Sequence, residues 1–253
     1  MIRVLAVPLL ASVIVAAQVS PPLLPDYETF VRDTRNNLAR SQREQYRFAY
    51  KERRTELHTN PFGRLGTGDT VVYEVTPSDD GKMVTRRLVE RDGKAVQDGA
   101  IERRDLPQSQ PVAGRSRRSG LEDSVAMLDF ALDHRETVKG RSTIVVTFTP
   151  KADAKPETSQ GRIARLFKGS VWVDEEMREV VRIEATAVDD ISVGLGLVAR
   201  LNEGTKATLT REQVEGGIWL PTSIRFVGQG RALLFRRLNV DQRIEWFNYR
   251  KMN

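Results

Sequence analysis

The stretch Leu166 to Val188, LFKGSVWVDEEMREVVRIEATAV, reads as two β-strands joined by a short polar turn. Val171 and Val173 alternate with Ser170, Trp172 and Asp174 on the first arm. Val181, Ile183, Ala185 and Ala187 alternate with Arg182, Glu184 and Thr186 on the second. A period of two assigns each set to its own face of a strand. The connecting Asp174-Glu175-Glu176-Met177-Arg178-Glu179 lacks β-branched residues and opens on Asp, a common first residue of a type I turn.

Similar strands flank this hairpin. Tyr46, Phe48 and Tyr50 alternate with polar neighbours, Thr70 to Val75 and Met83 to Glu90 flank the turn signal Asp79-Asp80-Gly81, and Ser142 to Thr149 is almost continuously β-forming. Downstream, four further strands are expected at Ser192 to Leu201, Thr205 to Val214, Ile218 to Val227 and Ala232 to Trp246. Their links, Asn202-Glu203-Gly204, Glu215-Gly216-Gly217 and Gly228-Gln229-Gly230, are short and contain glycine, which forces antiparallel pairing. Pro221 inside one strand belongs at an edge or a bulge.

Only two segments carry helical spacing. Tyr27, Phe30, Val31, Thr34 and Leu38 mark an amphipathic helix from Asp26 to about Arg43. Ser119 and Glu122 form a capping box that opens a second helix at about Gly120, with Leu121, Val125, Leu128 and Leu132 at helical spacing; its end is left open, because Phe130 to Thr137 also reads as strand. Lys151 to Gln160 reads as a loop. About eleven antiparallel strands are too many for a flat sheet. The expected fold is therefore a mainly β, strongly curved open half-barrel with the two helices on its concave side.

The chain begins with Arg3, an apolar run from Val4 to Ala17, and small residues at Val15 and Ala17. That is the pattern of a signal peptide over residues 1–17, too short for a spanning helix. A Pro-rich spacer, 18–25, and one domain, 26–253, follow. With no cysteine, the mature chain uses no disulfide and carries no lipidated N-terminal cysteine, so it is expected free in the periplasm. The net charge of +6 is spread among acids, as in Lys51-Glu52-Arg53-Arg54-Thr55-Glu56. A nucleic-acid binder clusters its cations on one face; this pattern suits at most a mild affinity for anionic membranes.

Residues for covalent or metal chemistry are sparse. His58 and His134 are the two histidines. Asp133-His134 lacks the G-x-S-x-G elbow of a serine hydrolase, and no His pair or Cys has metal-ligand spacing. Gly63, Gly66 and Gly68 lack the Lys-Ser/Thr of a phosphate-binding loop. Asp174, Glu175 and Glu176 read as solvated turn acids. The chain is expected to be no enzyme, without metal or cofactor. The most apolar run of the mature chain is Ile191 to Leu201, ISVGLGLVARL. Read as one strand, it points Leu195 and Leu197 the same way, beside glycines that ease bending. Those two leucines, with Phe30 and Val31 of the first helix, are the candidate lip and wall of an apolar ligand cavity.

The leader, the helix, and the segments FKGSVWVDEEMREVVRIEA, GLGLVARL and IWLPTSIRF together resemble the LolA/LolB-like superfamily of periplasmic lipoprotein carriers and their secreted relatives. The resemblance implies an open half-barrel that shields acyl chains of a lipid or lipoprotein, with delivery proteins at a membrane surface as further partners. Trp172 is followed by Val-Asp-Glu-Glu instead of the carriers' basic residue and proline, so no binding residue carries over. A sensor or scaffold domain with the same shell and a filled interior is the alternative.

Overall fold

A computed structural model describes residues 23–59, 65–78, 83–105, 119–193, 199–232 and 236–252. Its first half runs α1 (Tyr27–Gln45), β1 (Phe48–Thr59), β2 (Leu65–Pro77), β3 (Met83–Arg91), β4 (Lys94–Ala95) and β5 (Ile101–Asp105). Then come α2 (Gly120–Ala126), β6 (Leu128–Val138), β7 (Arg141–Pro150), α3 (Ser159–Ala164), β8 (Phe167–Asp174) and β9 (Val180–Ala187). The last part holds β10 (Ile191–Val193), β11 (Ala199–Leu201), β12 (Lys206–Gln213), β13 (Trp219–Ala232) and β14 (Arg236–Lys251).

All strand pairs are antiparallel and belong to one sheet, whose continuous path is β4-β3-β2-β1-β14-β13-β12-β9-β8-β7-β6. That path has different strands at its two ends, so the sheet is open and curls without closing. Six of its pairings carry a register shift. Each bulge bends its strand and increases the local twist, and repeated bulges curl a wide sheet. Strand β1 pairs with β14, placing Arg54 opposite Ile244, so both ends of the domain are joined at its middle.

Several expectations need revision. Ile191 to Leu201 is not one strand: Ile191 pairs with Leu201 and Val193 with Ala199, so its ends are two arms of a hairpin. Strand β13 does not stop at Val227. It runs through Gly228-Gln229-Gly230 and stays paired with β14 and β11. A Cβ on Gly230 would lie 2.0 Å from the Arg200 carbonyl oxygen, and one on Gly228 would lie 2.5 Å from Thr205 Oγ1. These glycines admit close neighbours, whereas Gly204 and Gly216, with φ of 84° and 78°, do turn the chain. Pro221 sits beside the bulge in β13, at the shift between Thr210 and Arg211 of its partner. Helix α2 stops at Ala126, so Leu128 and Leu132 belong to β6. A third helix, α3, occupies the end of the expected Lys151–Gln160 loop.

The central hairpin forms as β8 and β9, with one change of face. Trp172 pairs with Arg182 and Val173 with Val180, so Val181 is an extra residue. The bulge breaks the parity of β9. Val180 and Ile183 join the concave cluster of Phe30, Ile144, Val146 and Val173. Val181 instead joins Val145, Trp172 and Trp219 on the convex face.

Candidate functional site

Helix α1 starts at Asp26, whose carboxylate accepts the Thr29 N–H at 3.0 Å. It lies across the concave face with Phe30 only 1% exposed. Polar contacts fasten it to the β8–β9 turn: Asn37 donates to the carbonyls of Met177 (2.9 Å) and Arg178 (3.3 Å). The Arg178 guanidinium stands 4.8 Å from the Phe30 ring centroid. Beyond it, the fully buried Glu179 receives Arg40 (3.3 Å) and Ser41 from the helix side and Arg211 (3.5 Å) from the sheet side. Burial pushes the Glu179 carboxyl above its ordinary range despite these cations, and it pulls the Arg211 guanidinium down.

Helix α2 forms the opposite wall. Both halves of its capping box are made, Ser119 accepting from the Glu122 N–H and Glu122 accepting from the Ser119 N–H. Its buried Asp123 accepts hydrogen bonds from the N–H groups of Glu157 (2.9 Å) and Thr158 (2.7 Å) and from the Thr158 hydroxyl (2.8 Å). Those bonds hold the segment before α3 against α2 and orient α2 over the sheet.

Between the helices lies a half-open cavity of about 210 Å³. The floor is Phe130 of β6, Val146 and Phe148 of β7, Val171 and Val173 of β8, and Val180 and Ile183 of β9. Val31, Thr34 and Leu38 supply one wall, and Leu121, Ser124 and Val125 the other. Arg35 also lines the α1 wall, but only its carbon atoms face the cavity, whose exposed surface is carbon. The two hydroxyls are turned back on their own helices: Thr34 donates to the Phe30 carbonyl and Ser124 to the Gly120 carbonyl, each at 2.8 Å. Nothing in this lining performs acid-base or nucleophilic chemistry. Its surface favours apolar contact over water.

Phe30 and Val31 both line this cavity. Leu195 and Leu197 lie outside the described residues, and among those described none of β10 or β11 belongs to the lining. Thr34 and Leu38 were legible from the helical stripe, but the floor was not, because it depends on which strands stand side by side and on the bulge at Val181. His134 lies on β6, half exposed, with Nδ1 3.1 Å from Asp133 and Nε2 3.8 Å from Glu136. Glu136 also accepts the Trp172 indole N–H at 2.8 Å. No hydrogen bond joins His134 to a hydroxyl nucleophile among the described residues. The backbone of His58 lies in β1, paired with Gly66.

An open antiparallel half-barrel with an apolar cavity under two helices is the class that fold and site define. No family model matches the chain, and no curated protein is significantly similar to it. Solved structures do resemble it. A DUF1329 family protein from Desulfovibrio piger is 19% identical, covering 87% of this chain and 92% of its own, with a TM-score of 0.37. The outer membrane lipoprotein-sorting protein domain from Vibrio parahaemolyticus is 13% identical, covering 88% and 93%, with a TM-score of 0.41. A LolA superfamily protein from Nitrosomonas europaea is 10% identical, covering 89% and 93%, with a TM-score of 0.36. At these identities and scores the likenesses carry no weight for function, which has to be read from the cavity itself.

Proposed function

We propose that this protein binds a hydrocarbon chain of a lipid or lipoprotein in the cavity between α1, α2 and the sheet, as a non-catalytic carrier outside the cytoplasm. The observation that carries the reading is the carbon surface of a cavity open to the outside. Each methylene transferred there from water contributes about 0.8 kcal/mol, so affinity needs few polar contacts. A dry carbon-lined cavity of ~150 Å³ already takes up benzene. Ligand sites for larger molecules run to about 300–1,000 Å³. At about 210 Å³ the cavity fits part of one chain, and deeper insertion needs α1 or α2 to shift.

The limited volume also favours a second reading, a sensor or scaffold domain whose interior is largely filled by its own side chains. Native mass spectrometry of protein taken from a bacterial periplasm separates the two. A carrier leaves that compartment with co-purified lipid, and the mature chain starts at about Gln18. Lipid-free protein that also ignores a fluorescent fatty-acyl probe sinks the carrier reading. Leu195 and Leu197 are proposed as the lip, so Leu197→Glu is expected to weaken probe binding at least tenfold, about 1.4 kcal/mol.

A further inference from the structure

Of the sixteen residues that line the cavity, Arg35 alone is charged. It stands four residues after Val31 and three before Leu38, on the face of α1 that looks into the cavity. Such a position on an amphipathic helix ordinarily carries an apolar residue. On the same helix Arg32 pairs with Asp33 and Arg40 with Glu179. Arg35 is exposed, and among the described residues no carboxylate lies within ion-pair reach of it. The acids of the facing helix are engaged elsewhere, Glu122 on the Ser119 N–H and Asp123 on Thr158. The fold gains nothing evident from a lone cation at the mouth of an apolar cavity.

We infer that Arg35 receives the anionic head of a single-chain amphiphile whose hydrocarbon lies in the cavity, an inference that rests on the cavity reading above. The ligand class is a fatty acid or another lipid with one chain and a carboxylate or phosphate head. A guanidinium presents a planar fork of N–H donors that matches either anion in a bidentate manner. Its aliphatic stem lies along the apolar wall while its head stays in water. The cavity volume takes part of one chain, and has no room for the two or three of a membrane lipid or lipoprotein.

The test is calorimetric titration of the mature protein with dodecanoate, dodecyl phosphate, dodecanol and dodecyltrimethylammonium, all below their micellar concentrations. The two anions are expected to bind about tenfold more tightly than dodecanol, the size of one charge-assisted contact, and the cation more weakly still. The ratio of dodecanoate to dodecyl phosphate affinities tells a carboxylate site from a phosphate site. Arg35→Gln should collapse the preference for anions to about unity, and Arg35→Lys should retain part of it. An exposed substitution of this kind scarcely alters stability, so an unchanged Tm serves as the folding control. Equal affinity of the wild type for dodecanol and the anions overturns the inference, as does a preference that survives in Arg35→Gln. Wild type that binds none of the four overturns the cavity reading and this inference with it.

Discussion

Phe30 is the residue through which α1 enters the core: it touches the cluster of Ile144, Val146, Val173 and Val180 and is capped by Arg178. Truncation of such a ring costs about 3–5 kcal/mol. Phe30→Ala is therefore expected to lower the Tm by about 10 °C, and a melting curve like that of wild type would detach α1 from the core. Glu179 makes a prediction in pH. Its carboxyl is raised in the fold because burial outweighs Arg211 and Arg40, so the folded state holds that proton more tightly than the unfolded chain. Its contribution is complete below the ordinary value of 4.5 and is lost as pH rises through the raised one. Glu179→Gln mimics the protonated form. Relative to wild type, its Tm should improve as pH rises from about 4.5 to the raised value and level off above it. A difference independent of pH would mean that Glu179 ionises in the fold as it does in the unfolded chain.

Among the elements, β13 shows what a close approach demands. The backbone of β11 lies so near Gly230 that any side chain there meets the Arg200 carbonyl. Gly230→Ala must push β11 and its partner β10 away, at a cost of about 1–3 kcal/mol. Hydrogen exchange should locate that loosening in β10 and β11, leaving β6 to β9 protected as before. The same element shows why glycine alone is an ambiguous signal. Gly228 and Gly230 have the composition of a turn, but they lie within a paired strand because their neighbours leave no room for a Cβ.

For the molecule as a whole, the curled sheet and the two helices enclose a space that the side chains do not fill. If that space serves a ligand, filling it abolishes function without harming the fold. Val125→Phe places a ring into the cavity from the α2 wall. It is expected to weaken binding of a fluorescent fatty-acyl probe at least tenfold, with a Tm equal to or above that of wild type, as cavity-filling substitutions commonly stabilise. A Tm that falls by several degrees would show the cavity to be tighter than its volume suggests.

Much of this architecture stood in the one-dimensional pattern. Period-two runs and short glycine-containing links determined antiparallel strands, and too many strands for a flat sheet required curvature. Asp26 and the Ser119–Glu122 box determined where two helices begin, because capping is a local interaction. The stripe through Phe30 and Val31 determined which helix face is buried. What the sequence left open depends on neighbours distant in the chain. The extra residue at Val181 moves Val180 and Ile183 to the cavity side, since one bulge reverses every later face assignment. The folding back of Ile191 to Leu201 and the passage of β13 through two glycines were decided by which backbones lie alongside. The solitary charge of Arg35 on an apolar wall became visible only when strands β6 to β9 and helix α2 were brought around it. Local propensity chooses the elements, but a cavity is a property of the space left between them, and only the tertiary structure sets that space.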